Sequence, residues 1–462
     1  MNILHYALGF PPFRRGGMTQ YCLDMMKEQF KTGNEVSLLW PGELHNLKEN
    51  IRIKKHARYN LSEKEYCNSI EIVNPLPIPL MDGIAEPQIF MQRKDCRIFN
   101  AFFKDEHYDV LHIHTFMGLP SELVHAAKAN GVTVIFTSHD YFPLCPRCNL
   151  FYKGHNCEVN DNYATCVQCN RNSLSYKKML FLQSNIYKSI KNWKVIQILR
   201  KQHNQNMYLV DDTSETTEIV NLEKEQQYRE LKKRNEELLE SFDVIHFNSL
   251  NTLQGYKKHG YNGNNYKVIS ITNSAIQNRK QYRRVNSPVR FGYLGPITTH
   301  KGYNLLRDAC DRLWDSGFKN FEMHYFAPAQ DRPYVKLHEP YSYEELPYVM
   351  DSFDVLITPS VCGETFGFTV LEALSYGVPV VVSKCVGAKD LIHEGENGYI
   401  VETNVDDLYK ILATILHSPD VIDKMNEYIV KHQDILTMQQ HCADITKLYE
   451  EARHNRKGKS NE

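Results

Sequence analysis

Two doubly wound α/β domains in tandem, the first interrupted by a long insertion, are predicted for this 462-residue chain by three observations. Short apolar runs alternate with helix-period stretches over residues 1–142, the pattern of a parallel sheet covered by helices on both faces. The alternation stops over 143–240, where a cysteine-rich stretch and charged helical stretches follow one another. It resumes at 242 and runs almost to the end. At roughly 100–200 residues per domain, the length supports two to four domains with buried cores. Hydrophobic residues at 42% and charged residues at 24% exclude global disorder. The 54 basic and 55 acidic side chains leave a net charge of -1, which argues against a dedicated nucleic-acid binder.

The elements follow in order. Residues 2–8 form an apolar strand, followed by a Pro-Pro turn and the pair Gly16-Gly17. Tyr21, Met25 and Phe30 lie near one stripe of a helix over 18–31 that Gly33 ends. Strands follow at 35–39, 109–114 and 131–138, with a helix over 121–129. In the insertion, 143–171 is the cysteine-rich module and 173–240 is helical. Residues 177–201 hold seven basic and no acidic side chains, with apolar residues at three- and four-residue steps. Residues 203–214 read as a loop, and 215–240 as a solvated charged helix or hairpin arm. SFDVIHFNS is a strand, 250–259 a helix and KVISITN a strand. A basic, turn-like linker spans 279–288. The second array has strands at 289–294, 321–326, 355–358 and 378–382, with helices from 301, around 343–350 and from 367. The expected organisation is a first domain over 1–282, a second over 283–435, and a C-terminal helix over 436–462 that packs back on the first domain and ends in a tail.

No stretch reaches the roughly 18 consecutive apolar residues of a membrane span. MNILHYALGF lacks the basic and apolar regions of a signal peptide. The expectation is a cytoplasmic protein, touching the inner face of the cell membrane if the basic 177–201 segment binds an anionic bilayer. The bland alternative packs its apolar stripe on the cysteine module. Five of the twelve cysteines fall between 145 and 169. Cys145-x2-Cys148 and Cys166-x2-Cys169, seventeen residues apart, match a tetrahedral zinc pattern. Cys157 and His155 are further candidates, and Cys145, Cys157, Cys166 and Cys169 form an alternative set. An iron–sulfur cluster and unligated thiols remain open.

Open parallel sheets bind ligands beyond the carboxyl ends of their strands. After the predicted strand at 355–358 comes PSVCGETFGFTVLEAL, in which Gly367 precedes a helix. Its first amides, over Phe366, Gly367, Phe368 and Thr369, suit a diphosphate. Glu372, eight residues beyond Glu364, could bind vicinal hydroxyls. Lys301, at the start of another helix in GPITTHKGYNLL, could neutralise phosphate charge.

These residues resemble a known family. The E-x7-E block from Glu364 to Glu372, the PVVVS strand, GAKDLI and GENGYIV look like the donor half of family 4 glycosyltransferases. FGYLGPITTHKG, PPFRRGGMTQ and TSHD extend the likeness over about 1–145 and 240–450. The resemblance implies the GT-B architecture, two Rossmann-like domains facing a cleft, with the first on the acceptor side and the second binding a nucleotide diphosphate sugar. It implies that Glu364 contacts the donor sugar, Glu372 the ribose, and Lys301 the leaving diphosphate. Gly16 and Gly17 let backbone approach the donor phosphates or the acceptor, and His139 stands beside the reacting centre. Arg14, Arg15, His114 and Asp140 fall on the acceptor side, His114 at the cleft edge. Pro296 stands where the family often has an arginine. The implied reaction transfers a hexosyl residue with retention, needs no obligatory catalytic metal, and uses a glycan or lipid-linked glycan acceptor in bacterial cell-surface polysaccharide synthesis. Two rivals stand beside it: a non-catalytic sugar-nucleotide or glycan-binding partner, and a metal hydrolase built on His112 and His114, which alternation puts on one side of their strand.

Overall fold

The structure, a computed structural model, describes residues 1–45, 50–157, 163–191, 193, 194, 196, 198, 221–285 and 287–459. The first sheet is assembled from β1 (Asn2–Tyr6), β2 (Glu35–Pro41), β3 (Arg52–Lys55), β4 (Tyr59–Asn60), β5 (Tyr66–Val73), β6 (Val110–Ile113) and β7 (Thr133–Ser138). A small hairpin, β8 (Phe151–Tyr152) and β9 (His155–Asn156), belongs to the insertion, and β10 (Val244–Phe247) and β11 (Tyr266–Val268) complete the first sheet. Its order is β11-β10-β7-β6-β1-β2-β5-β3, with β4 also on β5. All neighbours are parallel except β3 and β4, which run antiparallel to β5. The second sheet contains β12 (Val289–Tyr293), β13 (Phe321–Tyr325), β14 (Val335–Leu337), β15 (Val355–Thr358), β16 (Val380–Ser383) and β17 (Gly398–Val401). Its order is β14-β13-β12-β15-β16-β17, and every pair is parallel. Two Rossmann-like domains thus face each other in the GT-B arrangement.

Strands such as VLHI of β6, TVIFTS of β7 and VVVS of β16 are buried at every position. Continuous burial rather than alternation is the mark of parallel strands covered on both faces. The chain reverses its build direction at β1, flanked by β2 and β6, and at β12, flanked by β13 and β15. Those two switch points open the crevices into which loops after neighbouring strands project.

The lobes are in contact. Thr365 Oγ1 donates to the carbonyl of His139 at 2.8 Å, and Ser249 and Thr252 hydroxyls donate to the Thr365 carbonyl at 2.6 and 2.7 Å. Leu250 N donates to Asp390 at 2.6 Å. The C-terminal helix, Met438–Lys459, lies against helix Gly17–Lys31 and β7. Arg453 pairs with Asp109 at 2.6 Å. One apolar cluster therefore runs from Ile3, Tyr21 and Ile135 through Ile445 and Tyr449 to Phe366 and Val370.

Two expectations for the insertion are corrected. The single basic helix over 177–201 is interrupted: Tyr176–Leu182 and Asn185–Ile190 are separate short helices, and residues 194, 196 and 198 are helical again. The first two break where buried Gln183 turns inward to satisfy the backbone of Ile78, accepting from its N–H and donating to its carbonyl, both at 3.3 Å. Ser184 then caps the second helix. Met179 is buried, whereas Ile186 and Trp193 are 69% and 64% exposed. The stripe read along one helix is therefore split between faces. The loop over 203–214 and the residues 199–201 lie outside the described residues. The charged stretch is described as helix Leu222–Glu240, and it is not merely solvated: Tyr228, Leu231, Leu238 and Leu239 are buried. Asn235 anchors it by donating to the Pro143 carbonyl at 3.0 Å. Among the described residues, no helix is long and apolar enough to cross a membrane.

Candidate active site

Two loops at the second switch point bring Lys301 and Glu364 together. After β12 the chain makes a tight turn over Thr299–Lys301 and enters helix Tyr303–Asp315 through Gly302. Gly302 has φ +77°, and a Cβ there would stand 1.9 Å from the Pro359 carbonyl oxygen, so the turn can lie on the end of β15 only with glycine. Lys301 Nζ reaches Glu364 Oε1 at 3.0 Å. The Ser360 hydroxyl donates to the same oxygen, and Ser383 holds the Ser360 carbonyl.

Beyond Glu364, Gly367 at φ +102° starts helix Phe368–Ser375. The opening amides of a helix lack intrahelical acceptors, and the dipole adds positive potential there. Phe366 is buried, its carbonyl accepting from Ala388 N at 2.7 Å. Glu372, on the same helix, is 6% exposed and accepts a hydrogen bond from Tyr343 at 2.5 Å. Burial raises its pKa, and the tyrosine bond partly opposes that.

The first lobe faces this helix. Gly17 lies against Phe368, whose ring would stand 3.4 Å from a Cβ at that position. Gly16, at φ +127°, has open space around it, and Arg15 is exposed. Arg14 is half-buried. Asp140 accepts from Phe142 N at 2.9 Å, and burial pushes its carboxyl up to about 6. His139 is half-buried beneath Tyr21, with ring centroids 4.7 Å apart.

His139 is not isolated. Its Nε2 lies 3.2 Å from Nδ1 of His114, and His114 Nε2 lies 3.0 Å from Nδ1 of His5. His5 Nε2 meets Gln29 Oε1 at 2.7 Å. A second run joins Tyr449 to His112 Nδ1 at 2.6 Å, His112 Nε2 to Thr137 at 2.6 Å, and Thr137 to His246 Nδ1 at 2.9 Å. Burial lowers the pKa of each of these histidines, so all are neutral. The placement of His114 at the cleft edge is corrected: it is fully buried between two other imidazoles.

The hydrolase reading also fails on geometry. Both nitrogens of His112 are engaged by Tyr449 and Thr137, and both of His114 by His5 and His139, so the pair shares no open ligand position. Among the described residues, His5, Cys22 and His114 alone bring three metal-type ligand atoms within 4.8 Å. An ion there would have to break the His5–His114 bond. Sequence reasoning missed His5, Gln29, Thr137, His246 and Tyr449. The available signal was a histidine in each of the central apolar strands NILHY, VLHI and VIHF.

In the cysteine module, Cys166 and Cys169 sit one turn apart on helix Ala164–Cys169. Burial raises the Cys157 and Cys166 thiols to about 12 and Cys169 further, with neighbouring sulfurs, Cys145 among them, adding to each. Cys148, at φ +66°, points instead to the Leu80 carbonyl at 3.6 Å. His155 is exposed on the hairpin. Among the described residues, no three of these sulfurs lie within 4.8 Å of one another.

Comparisons with known proteins find family matches in both lobes. Residues 15–158 match the family described as Glycosyltransferase Family 4, and residues 330–432 match Glycosyl transferases group 1. The chain belongs to the family 4 glycosyltransferases. Its similarity to D-inositol 3-phosphate glycosyltransferase of Corynebacterium efficiens is 29% identity over 119 residues, 26% of this chain and 28% of that one. Sulfoquinovosyl transferase SQD2 of Arabidopsis thaliana is 40% identical over 78 residues, 16% of this chain and 15% of that one. The matched segments thus span well under a third of these curated relatives. The likeness to solved glycosyltransferase-family structures extends along the whole fold. Sucrose-phosphate synthase from Thermosynechococcus elongatus superposes with a TM-score of 0.56 at 13% identity, covering 97% of this chain and 98% of that one. The lipopolysaccharide outer core galactosyltransferase WaaB gives 0.56 at 14%, covering 96% and 98%. Anabaena HepE in complex with UDP gives 0.52 at 14%, covering 97% and 100%.

Proposed function

We propose that this protein transfers a hexosyl residue, with retention of anomeric configuration, from a nucleotide diphosphate sugar to a hydroxyl of a glycan or lipid-linked glycan. Bacterial cell-surface polysaccharide synthesis is the setting that suits such an acceptor. The observation that carries the reading is the Lys301–Glu364 pair at the mouth of helix Phe368–Ser375, tied to His139 through Thr365. Cleaving the bond between anomeric carbon and phosphate builds negative charge on the diphosphate. Lys301 and the first amides of the helix take it up once the Lys301–Glu364 pairing is shared with the donor. Glu364 meets sugar hydroxyls, and Glu372 meets the ribose once Tyr343 gives way. His139 orients groups at the sugar. A diphosphate oxygen accepts the acceptor proton, so no enzyme carboxylate pair is needed as acid and base.

The test is a thermal-shift screen of nucleotide sugars and free nucleotides, uridine donors first because the HepE structure holds UDP, followed by turnover of the stabilising donor. Ligand bound only by the native state raises the midpoint. A stabilising donor that is hydrolysed or transferred supports the reading. Stabilisation without turnover on any acceptor favours the rival, a non-catalytic sugar-nucleotide or glycan-binding partner. No shift with any nucleotide overturns the transferase reading and leaves, of the rival, only a glycan-binding partner.

A structural zinc held by Cys145, Cys157, Cys166 and Cys169 is the second part of the proposal. Its support is that the five thiols share one electrostatic neighbourhood, and that of these Cys148 points its sulfur at the Leu80 carbonyl. Binding deprotonates the thiols and draws the sulfurs together. Elemental analysis of the purified chain is expected to find one zinc, retained in Cys148→Ser and lost in Cys166→Ser/Cys169→Ser. Metal-free protein with all five thiols titratable ends the proposal.

A further inference from the structure

The two runs of buried imidazoles are one chain. Gln29 Nε2 donates to the Tyr449 hydroxyl at 3.2 Å, joining them. At the far end, His246 Nε2 lies 2.7 Å from the carbonyl of Ile269. A backbone carbonyl can only accept, so His246 carries its proton on Nε2 and presents a bare Nδ1. Thr137 must therefore donate to His246, and it accepts from Nε2–H of His112. His112 Nδ1 is then bare and accepts from the Tyr449 hydroxyl. That hydroxyl, its proton committed, can only accept from Gln29, which turns the Gln29 carbonyl toward His5. His5 donates through Nε2 and accepts at Nδ1 from Nε2–H of His114. His114 Nδ1 accepts from Nε2–H of His139. Each neutral imidazole has one proton, so the direction set at Ile269 passes along eight hydrogen bonds without a choice.

We propose that Gln29 and Tyr449 are positioning residues that lock His139 in the Nε2–H tautomer, leaving Nδ1 as a hydrogen-bond acceptor. The functional part of this inference rests on the reading of His139 as a residue beside the reacting centre; the tautomer itself does not. Gln29 is the one link that can reverse. If its amide rotates by half a turn, its NH2 faces His5 and every proton from His5 to His139 moves to the other nitrogen. The Tyr449 hydroxyl prevents that rotation, because it has no second proton to offer a carbonyl. The C-terminal helix thereby reaches across the molecule to set the protonation pattern beside the cleft. The outcome is an imidazole that can take a hydroxyl proton in a hydrogen bond and cannot give one at that nitrogen.

The experiment is nitrogen-detected NMR of the full chain labelled with 15N-imidazole histidine, with His139 assigned by difference from His139→Gln. The expected wild-type spectrum shows His139 with a proton-bearing Nε2 and a bare Nδ1. In Tyr449→Phe and in Gln29→Met, a second His139 species with the proton on Nδ1 is expected. The fractional loss of kcat should equal the fraction of that species, with KM for the donor unchanged. A wild-type His139 protonated at Nδ1 overturns the proposal, as does a single unchanged tautomer in both folded variants. The wild-type spectrum can overturn the proposal even where a variant does not fold. It also does so where no turnover is found, which separates this inference from the proposed activity.

Discussion

Replacing Lys301 by alanine is expected to lower kcat by about two to three orders of magnitude, the cost typical of removing one preorganised donor to a developing oxyanion. The loop over 295–301, GPITTHK, keeps Lys301 as its one ammonium because Pro296 stands where the family pattern leads one to expect an arginine. The loop holds no arginine, and His300 is its one other basic side chain. The ammonium pairs with Glu364 at 3.0 Å, so donor binding must redistribute that pairing over the diphosphate and the sugar. Glu364→Ala should therefore lose turnover too, but through sugar contacts, and the double variant should fall by much less than the product of the two single effects. Lys301→Arg should not rescue, since a bulkier planar fork does not reproduce a point charge at this turn. The measurement is steady-state turnover beside calorimetric nucleotide affinity. A Lys301→Ala enzyme within about threefold of wild type in kcat would show that the diphosphate leaves without it, against the expectation for such donors.

How far this could be read from the sequence depends on which forces each residue obeys. Helix 121–129 and strand 355–358 were legible because local period and burial agree there, as Ser121–Ala129 and Val355–Thr358 show. Lys301 and Glu364 could be placed near each other because they follow the neighbouring strands β12 and β15 at the switch point, a rule of topology and not of propensity. The strand Tyr66–Val73 was missed. It carries buried Glu71 among its apolar residues, held by His56 at 2.8 Å, and a charged residue in a strand reads as surface until its partner is known. The expected basic helix failed for a similar reason, since Gln183 is pulled inward by the backbone of Ile78, far away in sequence. The imidazole chain was invisible because its links come from residues 5, 29, 112, 114, 137, 139, 246 and 449. A single histidine in an apolar strand looks like a core residue, and only the alignment of β1, β6, β7 and β10 makes them one object.

That burial has a second consequence, which is acid lability. His5, His112, His114, His246 and His441 have no exposed surface. Burial holds the pKa of His5 and His246 down at about 4 and places the other three well below the ordinary value. In the unfolded chain each returns to about 6.5. Between those values the unfolded state binds protons that the native state refuses, so stability rises with pH through this window and is lost as pH falls below about 6.5. Each histidine that stays neutral at pH 5 costs about 2 kcal/mol there, and five together cost on the order of 10 kcal/mol. Asp140, raised by burial to about 6, works in the opposite sense and offsets a part of this. A typical domain has only about 5–15 kcal/mol of net stability. The melting temperature should therefore fall steadily from pH 7 and the protein should unfold before pH 5, with proton uptake approaching five per chain in urea titrations across the series. A midpoint unchanged between pH 7 and pH 5.5 would mean that these imidazoles take up protons while folded. A charged imidazole donates from both nitrogens, so the one-way chain ending at His139 could not then exist.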